Sequence, residues 1–254
     1  MSRELAELTW EQVRDLPRDR TVALLPVGSV EAHGPHLPLG TDTLIAQAAA
    51  QAAATRLRGH GIAALLLPAM PYAAAPFAAS FTGTISVSPS AYAALIADIA
   101  AEVHRHGFAA LVLVNAHLDP AHLEALRSAA ALADDRGAGP VVFPDLTRRA
   151  LAARLSDEFR SGSCHAGSFE GSVVMALRPE LVHDEVRQAL PPVTASLVTA
   201  IRAGARTFEE AGGPRAYFGH PAEATAEEGR ATVQTLGELV ADAVRAALAA
   251  RGAA

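Results

Sequence analysis

Apolar positions gather into four short, nearly unbroken runs: 21–28 (TVALLPVG), 62–68 (IAALLLP), 109–116 (AALVLVNA) and 140–144 (PVVFP). Runs of this length without polar alternation predict strands buried on both faces, as in a parallel sheet. Between them lie longer Ala-rich segments at 41–57, 88–106 and 120–136, which read as helices. Thr41 or Asp42 can cap the first of these, and Ser88-Pro89 fits a cap followed by proline at the first helical position. Residues 168–181 predict a further helix, and 225–251 a long carboxy-terminal helix read as a packing and assembly element. Pro and Gly interrupt every pattern across 184–224, and no element is assigned there. Strand–helix alternation implies a mostly parallel sheet covered on both faces. With no linker, repeat or compositional break, the whole of 1–254 reads as one α/β domain.

Composition narrows the function classes. Hydrophobic residues make up 50% of the 254, enough for a substantial core. Charged residues are 19%, below the roughly 25% of typical domains, which suggests surface buried against other subunits. The net charge of -6 and the lack of a basic cluster argue against a nucleic-acid partner. No stretch approaches 18 uninterrupted apolar residues, so no membrane span is expected. The amino terminus is charged and has no apolar signal-peptide core. Cys164 is alone, so no intrachain disulfide forms, and a cytoplasmic enzyme is the expected class.

Three polar clusters carry candidate chemistry. Glu31, His33, His36 and Asp42 fall within twelve positions, between the first apolar run and the first helical segment. In an extended segment Glu31 and His33 share a face. The third apolar run ends in Asn115-Ala116-His117-Leu118-Asp119-Pro120, again with an imidazole and a carboxylate two apart. The third cluster is His165-Ala166-Gly167-Ser168-Phe169-Glu170. Parallel topology puts strand carboxyl ends on one sheet edge, where open α/β sheets bind ligands. Glu31, His33, Asp42, His117 and Asp119 exceed the three protein ligands of a single catalytic zinc and suit two divalent ions with a bridging carboxylate. A nitrogen and oxygen set without thiolate fits zinc foremost, with manganese or iron as alternatives.

These residues also carry a resemblance. Pro26 to Asp42 (PVGSVEAHGPHLPLGTD), Phe81 to Ile85 (FTGTI), His117-x-Asp119, His165-Ala166-Gly167-x-Phe169-Glu170 and Gly219 to Arg230 (GHPAEATAEEGR) together resemble the signature of the creatininase (creatinine amidohydrolase) family, in order along nearly the whole chain. The resemblance implies a three-layer α/β/α sandwich, a dinuclear metal site and a homo-oligomer, often a hexamer. Carried over residue by residue, it implies that Asp42 bridges both metals. Glu31 and His117 then hold one metal, and His33 and Asp119 the other. His165 becomes the proton-transfer residue, with Glu170 supporting the site. This chain departs from the family's pattern at three points. Asn115-Ala116-His117 stands for the usual Asn-Gly-His. Asp119 stands where creatinine-hydrolysing members have Glu. Ser161 stands four residues before the catalytic His, where those members place a tryptophan, and Trp10 is the chain's only one. Creatinine itself is therefore not the expected substrate.

Blander readings exist for each residue. Asp42 is also a helix cap, Asp119-Pro120 a helix start, His122 a surface residue one turn later, and Cys164 a small buried residue rather than a nucleophile. His36 either lines the pocket or hydrogen-bonds the loop. The leading expectation is a metal-dependent amidohydrolase acting on an amide, lactam or formamide of a small molecule, with His165 as proton shuttle. A peptidase of a small modified peptide and a ring-opening C–C hydrolase are the alternatives, followed by a non-catalytic metal-binding scaffold.

Overall fold

The computed structural model describes residues 3–252. Five strands form one parallel sheet: β1 (Arg3–Glu4), β2 (Thr21–Val27), β3 (Ala63–Leu66), β4 (Ala110–Asn115) and β5 (Val141–Val142), in the order β1-β3-β2-β4-β5. The four expected runs are β2 to β5. β1, only two residues long, leaves no readable apolar run. β5 is also two residues long, held between Pro140 and Pro144.

Among the described residues, ten α-helices accompany the sheet. The long ones are α2 (Thr41–Gly59), α3 (Pro89–Arg105), α4 (Pro120–Asp135), α7 (Ser168–Leu177) and α10 (Ala226–Gly252). The short ones are α1 (Trp10–Arg14), α5 (Arg149–Ala152), α6 (Asp157–Ser161), α8 (Asp184–Ala189) and α9 (Leu197–Arg202). The last two lie in the stretch where no element is expected from the pattern. The 168–181 helix breaks at Arg178, because Pro179 cannot continue it.

Every residue of β2 and β4 is buried, because both sheet faces are covered. Alternation decides which core each side chain joins. Val22 and Leu24 with Val112 and Val114 meet α2, α7 and α10 through Ile45, Ala49, Val173 and Leu239. Ala23, Leu25, Leu111 and Leu113 meet α3 and α4 through Tyr92, Ile96, Leu126 and Ala129. This is the three-layer α/β/α sandwich. The Ala content of α2 and Gly237 of α10 let those helices approach closely, since a Cβ at 237 would lie 2.6 Å from Ala52 Cβ.

Pro26 sits inside a central strand, where a missing N–H is costly. Pairing of β2 with β3 stops at Leu24, so the proline falls beyond that ladder. The Ser88 cap forms, its hydroxyl accepting the Ala91 N–H. The cap expected from Thr41 or Asp42 does not. Gly40 is the N-cap, and the Thr41 hydroxyl donates to the Pro38 carbonyl (2.8 Å). Asp42 lies inside the first turn, which frees its carboxylate to point away from the helix backbone. Among the described residues no helix is long and apolar enough to cross a membrane.

Candidate metal centre

The chain leaves β2 toward β3 on one side and reaches β4 on the other, so β2 and β4 flank the point where strand order reverses. Crevices at such points bind ligands. Val27 pairs with Asn115, so both strands end level and release their loops together. Gly28 turns the chain against the first turn of α2, where a Cβ would lie 2.5 Å from Thr43 N. The Glu31 N–H then donates to Leu39 carbonyl oxygen (3.1 Å), folding the 28–40 loop so that Glu31, His33 and Asp42 face one another. After β4, Asn115 clamps the next turn: its Nδ2 donates to His117 O (2.7 Å) and its Oδ1 accepts His117 N–H (3.1 Å).

Three groups of facing ligand atoms result: Glu31, Asp42 and His117; His33, Asp42 and Glu170; and Glu31, His33 and His165. Asp42 divides its two oxygens. Oδ1 is 3.2 Å from His33 Nε2, and Oδ2 is 3.1 Å from His117 Nδ1. Glu31 Oε1 is 3.1 Å from His117 Nδ1, and Glu170 Oε2 is 3.5 Å from His33 Nε2. All these residues are buried.

The imidazoles are oriented by backbone carbonyls. His117 Nε2 donates to Ala74 O (2.9 Å), His33 Nδ1 to Glu31 O (3.1 Å) and His165 Nε2 to Ala32 O (2.9 Å). A carbonyl oxygen only accepts, so the proton on that ring nitrogen is fixed and the other nitrogen faces the carboxylates. Ligating histidines are held in this way around bound metals.

The electrostatics suit a bound cation. Burial by itself would lower His33, but Asp42, Glu170 and Glu31 outweigh it and push the imidazole up to about 10. His117 is likewise buried yet raised well above its ordinary value by Glu31 and Asp42. Burial raises Glu31, and raises Glu170 to about 8 against the opposing charge of His33. Asp42 is held below its usual range because His33 and His117 overcome its burial. Glu31 Oε2 has no hydrogen-bond donor, and Asp42 Oδ2 has only His117 Nδ1 near it, at 3.1 Å. Three buried carboxylates around two inward-facing imidazole nitrogens suit divalent cations, so the donor set fits the implied metals.

Asp119 stands outside the three groups. It caps α4: Oδ1 accepts Ala121 N–H (2.8 Å) and Oδ2 accepts Phe77 N–H (3.1 Å). Glu170, expected only to support the site, reaches into it, and its Oε2 also accepts Ala166 N–H (2.6 Å). His165 Nδ1 faces Glu31 Oε1 at 3.9 Å. Ala166 beside it adopts a left-handed φ of 51°, uncommon for a residue with a Cβ.

His36 is fully buried, edge-on to Tyr217 and outside the groups. His122, expected at the surface, is fully buried instead, because the first turn of α4 faces the sheet. Its Nε2 bonds Asn115 Oδ1 (2.9 Å) and its ring lies 4.8 Å from that of His117. Burial, reinforced by Glu170 and Glu158, pushes the Cys164 thiol well above its ordinary value, the opposite of an activated nucleophile. Phe208, to which sequence reasoning assigned no role, lies under His165 with ring centroids 4.2 Å apart. No periodic signal surrounds Phe208 in the sequence, so only the packing reveals it.

The family profile described as creatinine amidohydrolase matches residues 6–244. The chain belongs to the creatininase family. A mycofactocin precursor peptide peptidase of Mycobacterium ulcerans (strain Agy99) is 34% identical over 253 residues, spanning 94% of this chain and 90% of that one. A creatinine amidohydrolase of Pseudomonas putida is 31% identical over 206 residues, spanning 75% and 77%. Among solved structures, a creatininase in its Mn form matches with a TM-score of 0.76 at 26% identity, over 98% of this chain and 99% of that one. A Zn-Zn type creatininase variant matches with a TM-score of 0.75 at 26% identity, over the same shares. The creatininase-family member described here is thus a hydrolase of the amidohydrolase type.

Proposed function

We propose that this protein hydrolyses an amide bond in a small peptide, using two divalent ions held by Glu31, His33, Asp42, His117 and Glu170. The observation that carries this reading is the division of Asp42's two oxygens between His33 and His117, with Glu31 and Glu170 completing the two sides. When bound, such ions supply an activated water and polarise a carbonyl. His165 handles the proton. Burial holds it well below its ordinary pKa, so it is neutral. Its Nε2–H is committed to Ala32, which leaves Nδ1 to accept a proton from the attacking water and return it to the leaving nitrogen. Phe208 packed against its ring keeps that nitrogen aimed.

Two observations favour a peptide over creatinine. The peptidase relative aligns over more of this chain, at higher identity, than the creatinine amidohydrolase does. The chain's only tryptophan, Trp10, is 71% exposed on α1, stacked with Arg14, so no tryptophan is available to clamp a flat ring. The test is turnover by purified protein loaded with zinc or manganese, against short peptides, formamides, lactams and creatinine. Cleavage of one peptide series at a single bond is expected. Turnover of creatinine with a larger kcat/KM than any peptide would overturn the reading.

A further inference from the structure

The motif Gly219-His220-Pro221-Ala222-Glu223 contributes no side chain to the three groups, and its place in the fold points to another residue. Glu158 lies on α6, and its carboxylate accepts three backbone N–H bonds from two distant segments. Oε1 accepts from Ser168 (3.0 Å) and His220 (2.7 Å), and Oε2 accepts from Phe169 (2.7 Å). Two of these donors form the first turn of α7, so the negative charge also faces the positive end of that helix. Two glycines leave room for it. A Cβ at Gly167 would lie 2.5 Å from Glu158 Oε2, and one at Gly219 would overlap the same carboxylate and the Ser163 carbonyl. Gly219 has φ +80, a second reason for glycine there.

The segment so gripped, 165–170, carries both the proton acceptor His165 and the carboxylate Glu170. Its other hydrogen bonds run from His165 Nε2 to Ala32 O (2.9 Å), from Phe218 N–H to His165 O (2.7 Å), from Ala166 N–H to Glu170 and from Gly171 N–H to Gly167 O within α7. Ala166 holds a left-handed φ within it, a conformation that persists only where the surroundings impose it. We propose that Glu158 is the positioning residue of the centre, docking the His165–Glu170 segment onto the Gly219-His220 loop so that His165 Nδ1 faces Glu31 and Glu170 Oε2 faces His33. This rests on the metal-centre reading above, and two of its three tests need no turnover.

The test is Glu158→Gln, which keeps the shape and loses the charge and one acceptor, with Glu158→Asp as the second variant. Hydrogen exchange on the metal-loaded protein should speed up at the Ser168, Phe169 and His220 amides while α3 and α4 stay protected. Zinc affinity, read by chelator competition, should fall about tenfold as Glu170 loosens. On a cleaved peptide, kcat should fall about ten- to a hundredfold with KM within about twofold, because a misplacement near 1 Å has that cost. Glu158→Asp should recover part of each loss. Unchanged exchange and zinc affinity in a folded Glu158→Gln protein would overturn the proposal. So would losses that merely track the unfolded fraction. If Glu158→Gln does not fold, the same readings on Glu158→Asp decide. Absence of any peptide turnover would count against the proposed reaction and leave exchange and zinc affinity to judge Glu158.

Discussion

Metal binding should expel protons, and the structure sets how many. Without a cation, the charge between the carboxylates is supplied by protons on His33 and His117. His33 is pushed up to about 10 and His117 well above its ordinary value, so both are protonated at pH 7. Glu170, raised to about 8, is about nine-tenths protonated at pH 7. A metal takes only deprotonated ligands, so full loading at pH 7 should release about three protons per chain. At pH 9 Glu170 has already lost most of its proton, and the count should fall to about two. Calorimetric zinc titration of chelator-treated protein in two buffers of different ionisation enthalpy measures this number. Water bound to the ion can only add to it. Release of fewer than one proton at pH 7 would refute the idea that protons stand in for the cations. The same linkage sets the sign of stability. His33 and Glu170 have folded values raised above their unfolded ones. Their stabilising contribution is therefore complete below about 6.5 and about 4.5 respectively, and is lost as pH rises through about 10 and about 8. Chelator-treated protein should lose thermal stability from pH 7 to pH 10, and the stabilisation by zinc should grow over that range.

Asp42→Ala should strip both ions, since one carboxylate serves both sides; elemental analysis of the purified variant would read close to zero metal, and stoichiometric metal would contradict the bridge. His165→Ala should keep both metals and lose about 10²–10⁴-fold in kcat, the usual scale of general acid–base help; full activity would remove His165 from the mechanism. Asp119→Asn should keep full metal content, because both Asp119 oxygens serve backbone N–H groups, and should lower stability by about 1–3 kcal/mol in denaturant titration, because the amide NH2 cannot accept the Phe77 N–H while its oxygen still caps α4. Loss of one metal instead would make Asp119 a ligand.

Local pattern made much of this protein legible. The runs at 21–28 and 109–116 became the central strands because their apolar residues have no polar alternation, and a strand buried on both faces needs none. The same reading singled out Glu31, His33, Asp42, His117 and Asp119, since residues just past parallel strands meet at one sheet edge; the first four face one another and Asp119 lies outside their groups, while His165 and Glu170, at the start of α7, were picked out by the family resemblance. It erred where one residue has two possible uses. Asp42 was a candidate cap, yet Gly40 starts the helix. His122 was expected at the surface, yet it packs behind His117.

The sequence by itself determined the strand and helix periods and the ligand types at the strand ends, because these depend on neighbours a few positions apart. Only the tertiary structure decided which carboxylates face which imidazoles. That choice depends on atoms far away in the chain. Ala74 and Ala32 carbonyls orient His117 and His165, the Phe77 N–H engages one oxygen of Asp119, and Glu158 grips the segment that carries Glu170. Backbone carbonyls and amides are common to every residue type, so no one-letter pattern records where they point.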